Sequence, residues 1–173
     1  MKNILFLEAS IQTLRDETLI NFPARLEKAV DIADTLITGN IIFHYNPRSK
    51  TLLALSNVYG SEPDPYITTL LFDKVKESPT GVEIKSGGKP VKIEKFEDTK
   101  HEDTKHNCKV RCTCKDFMWT FNYYNKRENS LRGSVRDPYT KITSRPRRNP
   151  SEKPGLCKHL LALYIKLEEM GLV

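Results

Sequence analysis

The chain has 173 residues, 38% of them hydrophobic and 29% charged, a composition that fits a globular fold and excludes a fibrous or low-complexity chain. No apolar run approaches the roughly 20 residues of a bilayer-spanning helix, so a transmembrane protein is not expected. The formal net charge of +6 is unevenly placed: residues 1–79 hold 8 Lys+Arg against 10 Asp+Glu, and residues 80–173 hold 20 against 12.

The first residues, Met1 to Glu8, contain a short apolar run but reach an acidic residue at once and lack an Ala-x-Ala-like cleavage site. No secretory signal is expected. Over 24–38, Leu26, Ala29, Val30, Ala33, Leu36 and Ile37 recur at helical spacing, with Asp31 and Asp34 opposite, which predicts an amphipathic helix. Pro23 suits its first turn and Gly39 its exit. Two β-prone runs, 41–45 and 51–58, flank Asn46-Pro47-Arg48-Ser49 and predict a hairpin. Further strands are predicted at 66–72, 82–85 and 91–96, with Gly87-Gly88 as the turn between the last two. The expected class is therefore α+β, an N-terminal helix followed by an antiparallel meander.

Residues 97–107 contain Glu-Asp-Thr-Lys-His twice in succession, a polar stretch that reads as a solvated loop. His101 and His106 within it are expected to be solvated, and His44 in its predicted strand to be a hydrogen-bonded structural residue.

Beyond this loop the chemistry concentrates. Cys112-Thr113-Cys114 and Cys157-Lys158-His159 form two short pairs of soft ligands, the groups that hold zinc tetrahedrally in a closed structural site. The 4 cysteines could instead form two disulfides. That alternative leaves His159 unexplained and requires an oxidising compartment. Cys108, four residues before Cys112, is expected to be a small half-buried residue, with replacement of one ligand as the alternative. A strand over 109–111 puts Cys112 and Cys114 on one side. Residues two apart on a helix diverge by about 200°, so Cys157 is expected at or before the start of the helix marked by Leu160, Leu163, Tyr164 and Leu167. Asp116 is expected to cap a helix to about Lys126, whose Phe117, Phe121 and Tyr124 form a local core beside Trp119 and Tyr123; a base-stacking platform is the alternative.

Between the pairs runs a long insert. Residues 126–153 alone carry a net charge of +6, and Pro138, Pro146, Pro150 and Pro154 hold the chain extended. Arg127, Arg132, Arg136, Lys141, Arg145, Arg147 and Arg148 are its candidate contacts with nucleic-acid phosphates or an acidic protein neighbour, since guanidinium pairs bidentately with both. A solvated face is the bland reading of the same charge. The organisation expected is an α+β region at 1–96, a polar linker at 97–106, and a zinc-stapled lobe at 107–173 carrying the basic proline-rich insert 127–154.

Cys-x-Cys, a variable insert, then Cys-x-His opening a helix resembles the SWIM zinc finger. Cys112, Cys114, Cys157 and His159 match its ligands over about residues 107–170, supported by the expected strand before the first pair, by Cys-Lys-Asp-Phe following it and by Cys-Lys-His-Leu-Leu opening the closing helix. Arg148-Asn149-Pro150 and Pro154-Gly155-Leu156-Cys157-Lys158-His159-Leu160 are similar to the version found in tailed-bacteriophage proteins. The resemblance implies a structural Zn2+ and a structural or assembly protein of a virion. The alternative is a DNA- or RNA-binding accessory protein of the cell. The location implied is virion or host cytoplasm, with no membrane or small-molecule partner. No Walker loop, His-Glu-x-x-His, Gly-x-Ser-x-Gly or deaminase arrangement occurs, and an enzyme is not expected.

Overall fold

A computed structural model describes residues 9–60, 62–96, 106–135 and 148–173 of the chain. It begins with a helix that the sequence reading does not anticipate, α1 (Ile11–Asn21). Ser10 caps it by accepting from the Thr13 amide at 3.1 Å, and Ile11, Leu14 and Thr18 form its buried stripe. Three positions in eleven, one of them a threonine, are too thin an apolar stripe to read from sequence.

The next helix, α2 (Ala24–Thr35), is shorter than the expected 24–38. Leu36 is already extended, and Gly39 lies in a 3-10 turn, Thr38–Asn40, rather than in a left-handed exit. Ala29 and Ala33 are its buried residues, while Leu26 and Val30 stay 40% and 42% exposed. Small residues on the inner face let α2 lie close against the C-terminal helix α4 (Lys158–Glu169).

Six strands form, β1 (Ile42–Asn46), β2 (Thr51–Val58), β3 (Tyr66–Phe72), β4 (Glu77–Ser86), β5 (Lys89–Ile93) and β6 (Cys108–Cys112); β4 starts well ahead of the expected 82–85, and β5 ends short of the expected 96. They form one mixed sheet in the order β5-β4-β1-β2-β3-β6. The β1–β2–β3 meander and the β4–β5 hairpin are antiparallel, and they join through a parallel contact, Phe43 opposite Ser86. Asn46 builds the β1–β2 turn by accepting from the Arg48 and Ser49 amides. Gly87 and Gly88, at φ 56° and 80°, make the tight β4–β5 turn that only positive φ allows.

The strand ahead of the first ligand pair belongs to this sheet. β6 pairs with β3 from Thr68 opposite Cys112 to Phe72 opposite Cys108. Residues on both sides of 97–105, a segment outside the described residues, thus share one sheet and one buried core. Inward-facing Leu52, Ala54, Leu70, Phe72 and Val110 meet Leu160, Leu163 and Leu167 of α4 in that core. The opposite face of the strands carries Ile42 and Ile67, 49% and 46% exposed. Gly171, at φ 75°, ends α4, and the Phe96 amide donates to the Leu172 carbonyl at 2.7 Å, so the chain end is tied back to the sheet.

The helix expected from Asp116 to about Lys126 begins as a π-helical turn, Phe117–Phe121, and continues as α3 (Asn122–Arg127). Asp116 makes no side-chain cap. It accepts instead from Arg25 of α2, at 3.1 Å from Nε and 2.8 Å from Nη2, a bidentate pair that fastens this turn to the helix layer. Arg25 also stacks over the rings of Phe22 and Phe121.

Candidate metal centre

Cys112, Cys114, Cys157 and His159 are all buried, and their ligand atoms lie within 4.8 Å of one another. A zinc ion with sulfur ligands at about 2.3 Å sets neighbouring sulfurs roughly 3.8 Å apart. Small side-chain movements therefore close this set around one ion, and the donors, three sulfurs and an imidazole, suit a soft divalent metal. All 4 cysteines are free thiols, so the disulfide alternative does not apply. Among the described residues no other such cluster occurs.

The first pair is placed by backbone. Cys112 is the last residue of β6, and Cys114 follows as the chain leaves the sheet. The Cys114 amide donates to Cys112 Sγ at 3.4 Å, and the Phe117 amide to Cys114 Sγ at 3.3 Å. Amides aimed at sulfur favour thiolate, the form a metal takes.

The second pair is placed by distant side chains. Cys157 precedes α4 in an extended conformation, φ −74° and ψ 167°, as the two-residue spacing demands, and His159 lies in the first turn. The Pro154-Gly155-Leu156 segment before it is buried and outside regular structure. Asn125 brackets it: its Oδ1 accepts from the Gly155 amide at 2.8 Å and its Nδ2 donates to the Gly155 carbonyl at 2.9 Å. The Leu156 amide donates to Thr18 Oγ1 at 2.8 Å. Gly155 has to be glycine, since a Cβ there would stand 2.7 Å from Thr18 Oγ1 and 2.8 Å from Phe121 Cε1.

His159 turns Nδ1 toward Cys112 Sγ, 4.0 Å away, and stacks on Tyr66 at 4.4 Å between centroids. Its Nε2 is buried without a hydrogen-bond partner. Burial pushes the Cys112 and Cys157 thiols well above the ordinary cysteine range. Hydrogen bonds from Cys112 and then Cys157 hold the Cys114 thiol down.

Cys108 is buried and stands outside the cluster, with burial holding its thiol up. His106 is not solvated: Nδ1 bonds the Asp73 carbonyl at 2.9 Å and the ring stacks on Phe96. His44 is exposed on the uncovered face of β1, and His101 lies outside the described residues.

Of the insert, the two ends are described. Residues 130–132 run along the outer edge of β6, with the Val110 amide bonded to the Ser130 carbonyl and the Arg132 amide to the Val110 carbonyl. Arg111 extends this seam by donating to the Arg132 and Ser134 carbonyls. The returning end is held by Asn149, which donates to the Thr120 and Lys153 carbonyls. Arg127 donates to the Glu152 carbonyl, pairs with Glu128 and Glu152, and lies over the Tyr124 ring. Arg132 is half-buried and Arg148 exposed, whereas Arg136, Lys141, Arg145 and Arg147 lie outside the described residues. Phe117 and Phe121 are buried as expected of a local core, but Trp119 and Tyr123 are 38% and 37% exposed, and Lys115 and Lys126 in the same stretch of sequence are exposed as well.

Thr18, Asn125 and Asn149 carry no motif signal, because each makes a bond to a residue 29 or more positions away. No helix among the described residues is long and apolar enough to cross a membrane. The chain matches no protein-family model, no curated protein and no solved structure.

Proposed function

We propose that the chain is a non-catalytic interaction protein clamped by a structural zinc ion, built on the SWIM ligand plan, and that it serves in the assembly of a tailed-phage particle. The buried, four-donor Cys/His set supports the metal-clamp part of this reading. With four protein donors, a tetrahedral ion has no open position for a substrate or water, which is the arrangement of structural rather than catalytic zinc. The ion joins the end of β6 to the start of α4, and between those points the chain sends out its most basic segment. Within the particle, the insert around Arg145, Arg147 and Arg148 docks on acidic neighbours or packaged DNA.

Arginine-reactive crosslinking in purified particles tests this, with links expected from Arg145, Arg147 and Arg148 to neighbouring chains. A monodisperse monomer absent from purified virions overturns it.

A second reading, a cellular nucleic-acid-binding protein, is favoured by the exposure of Trp119 and Tyr123 in a stretch that also exposes Lys115 and Lys126. Rings set among cations suit stacked single-stranded bases. That reading expects a mobility shift at low salt that weakens steeply with added salt, and Trp119→Ala to weaken it further. No shift with single- or double-stranded nucleic acid discards it.

A further inference from the structure

The helix layer covers one face of the sheet. Leu52, Ala54, Leu70, Phe72 and Val110 point inward to α4, so the residues alternating with them point outward. A sheet face left to water ordinarily turns polar side chains outward. Here the outward side of β1, β2 and β3 carries Ile42 and Ile67, exposed, and Leu53, Leu55 and Leu71, half-buried. Strand register gathers them into one patch: Ile42 lies opposite Leu55, Leu53 opposite Leu71, and Ile67 and Leu71 flank Thr69, the partner of Leu55. The runs Leu52–Leu55 and Leu70–Phe72 are therefore apolar on both sides of the strand, which is the composition of strands covered on both faces.

Cations frame the patch. Lys85 of β4 stands beside Ile42, because Phe43 pairs with Ser86 in parallel. On the far side Lys109 lies opposite Leu71 and Arg111 opposite Thr69. Among the described residues Lys85 and Lys109 make no ion pair, and Arg111 donates to the Arg132 and Ser134 carbonyls rather than to a carboxylate. Glu83, the next outward residue of β4, stands opposite Lys92 of β5.

The width between the cations fits a helix. Lys85 and Lys109 belong to β4 and β6, which are separated in the sheet by β1, β2 and β3, so they lie about 19 Å apart across the strands. An α-helix about 10 Å across, laid over the apolar centre, leaves about 4–5 Å on each flank, the reach of an Asp or Glu side chain. A strand finds no comparable place at the edges: β5 carries Pro90 between lysines, and residues 130–132 run along the outer edge of β6. A second copy laid face to face would set the framing cations against each other.

From this arrangement we infer that the outward face of β1, β2 and β3 is the docking site for an amphipathic helix of another protein, its apolar stripe edged by Asp and Glu. The stripe packs on Ile42, Leu53, Leu55, Ile67 and Leu71, and the carboxylates pair with Lys85 on one flank and Lys109 on the other. The site does not rest on the zinc clamp, whose Cys112 lies on the inward side of β6.

The test is fluorescence anisotropy of the full chain with labelled helical peptides that share one leucine stripe, edged by Glu, by Gln or by Lys. The Glu peptide is expected to bind at least about tenfold more tightly than the Lys peptide, with the Gln peptide between them. Failure of the Glu peptide to bind overturns the inference, and equal binding of the Glu and Lys peptides overturns the acidic partner. Ile67→Glu, an exposed change, is expected to weaken the Glu peptide at least about tenfold with zinc content and melting temperature unchanged. Wild-type affinity in that variant overturns the location. Lys85→Glu and Lys109→Glu together are expected to reverse the preference between the Glu and Lys peptides, and an unchanged preference overturns the role of the framing lysines. A full chain that sediments as a dimer, and as a monomer with Ile67→Glu, gives the face to a second copy and overturns the helix.

Discussion

The two ligand pairs look alike in sequence, each a pair of soft donors separated by one residue, yet they are held in different ways. Cys112 and Cys114 are placed by a sheet ladder and by amides within three residues of each sulfur. Cys157 and His159 follow a buried, irregular segment that Thr18 and Asn125 hold from 138 and 30 residues away. A short spacing can therefore be satisfied by a backbone ladder, as β6 against β3 does for the first pair, or by side chains that bracket an irregular segment, as Thr18 and Asn125 do for the second.

The largest effect falls on both pairs alike. Cys112→Ser and Cys157→Ser are each expected to abolish zinc binding, which supplies about 10–16 kcal/mol in small zinc peptides at neutral pH, and with it the cooperative melting transition. Elemental analysis and calorimetry check this; a Cys112 variant that keeps its metal breaks the equivalence. Acid acts in the same direction. Burial holds the Cys112 and Cys157 thiols up, so the metal must displace their protons, and affinity is expected to fall as pH falls. Competition with a chromophoric chelator across pH measures that slope.

Next in size are the brackets of the second pair. Asn125→Ala leaves the buried amide and carbonyl of Gly155 unpaired, at about 1–3 kcal/mol each. Thr18→Val removes the acceptor of the Leu156 amide and is expected to cost about 1–3 kcal/mol. Denaturant titrations with zinc present give both values. Near the first pair, Thr113→Ala removes an exposed bond to the Ile67 amide and is expected to stay within about 0.5 kcal/mol. A loss at Thr113 equal to that at Asn125 would remove the contrast between the pairs.

The smallest effect concerns Cys108, a neighbour of the first pair in sequence and a stranger to it in chemistry. Burial raises its thiol well above the ordinary value of 9.0, so the folded state keeps the proton that the unfolded chain gives up. Its contribution is full below pH 9.0 and declines above it. Cys108→Ala is expected to flatten that alkaline decline in a urea series, and an unchanged slope would show that another group causes it.

The difference between the pairs also separates what could be read early from what could not. The strand runs 51–58 and 66–72 matched their elements because alternation with turn residues at both ends is a local signal. The position of Cys157 ahead of α4 followed from helix geometry alone. Helix α1 escaped because its buried stripe includes Thr18, whose hydroxyl bonds the Leu14 carbonyl and the Leu156 amide at once. Asp116 read as a cap because Asp before a helix commonly is one; Arg25, 91 residues away, claims it instead.

By itself, then, the sequence determined the donor set, the strand and helix that carry it, and the basic segment between them, since ligand chemistry and periodicity act over a few residues. Tertiary structure alone decided that β6 would complete the sheet begun by β1, and that Thr18 and Asn125 would hold the second pair. Those outcomes depend on which buried polar groups meet across the core, and a hydrogen bond between residues more than a hundred positions apart leaves no pattern along the chain.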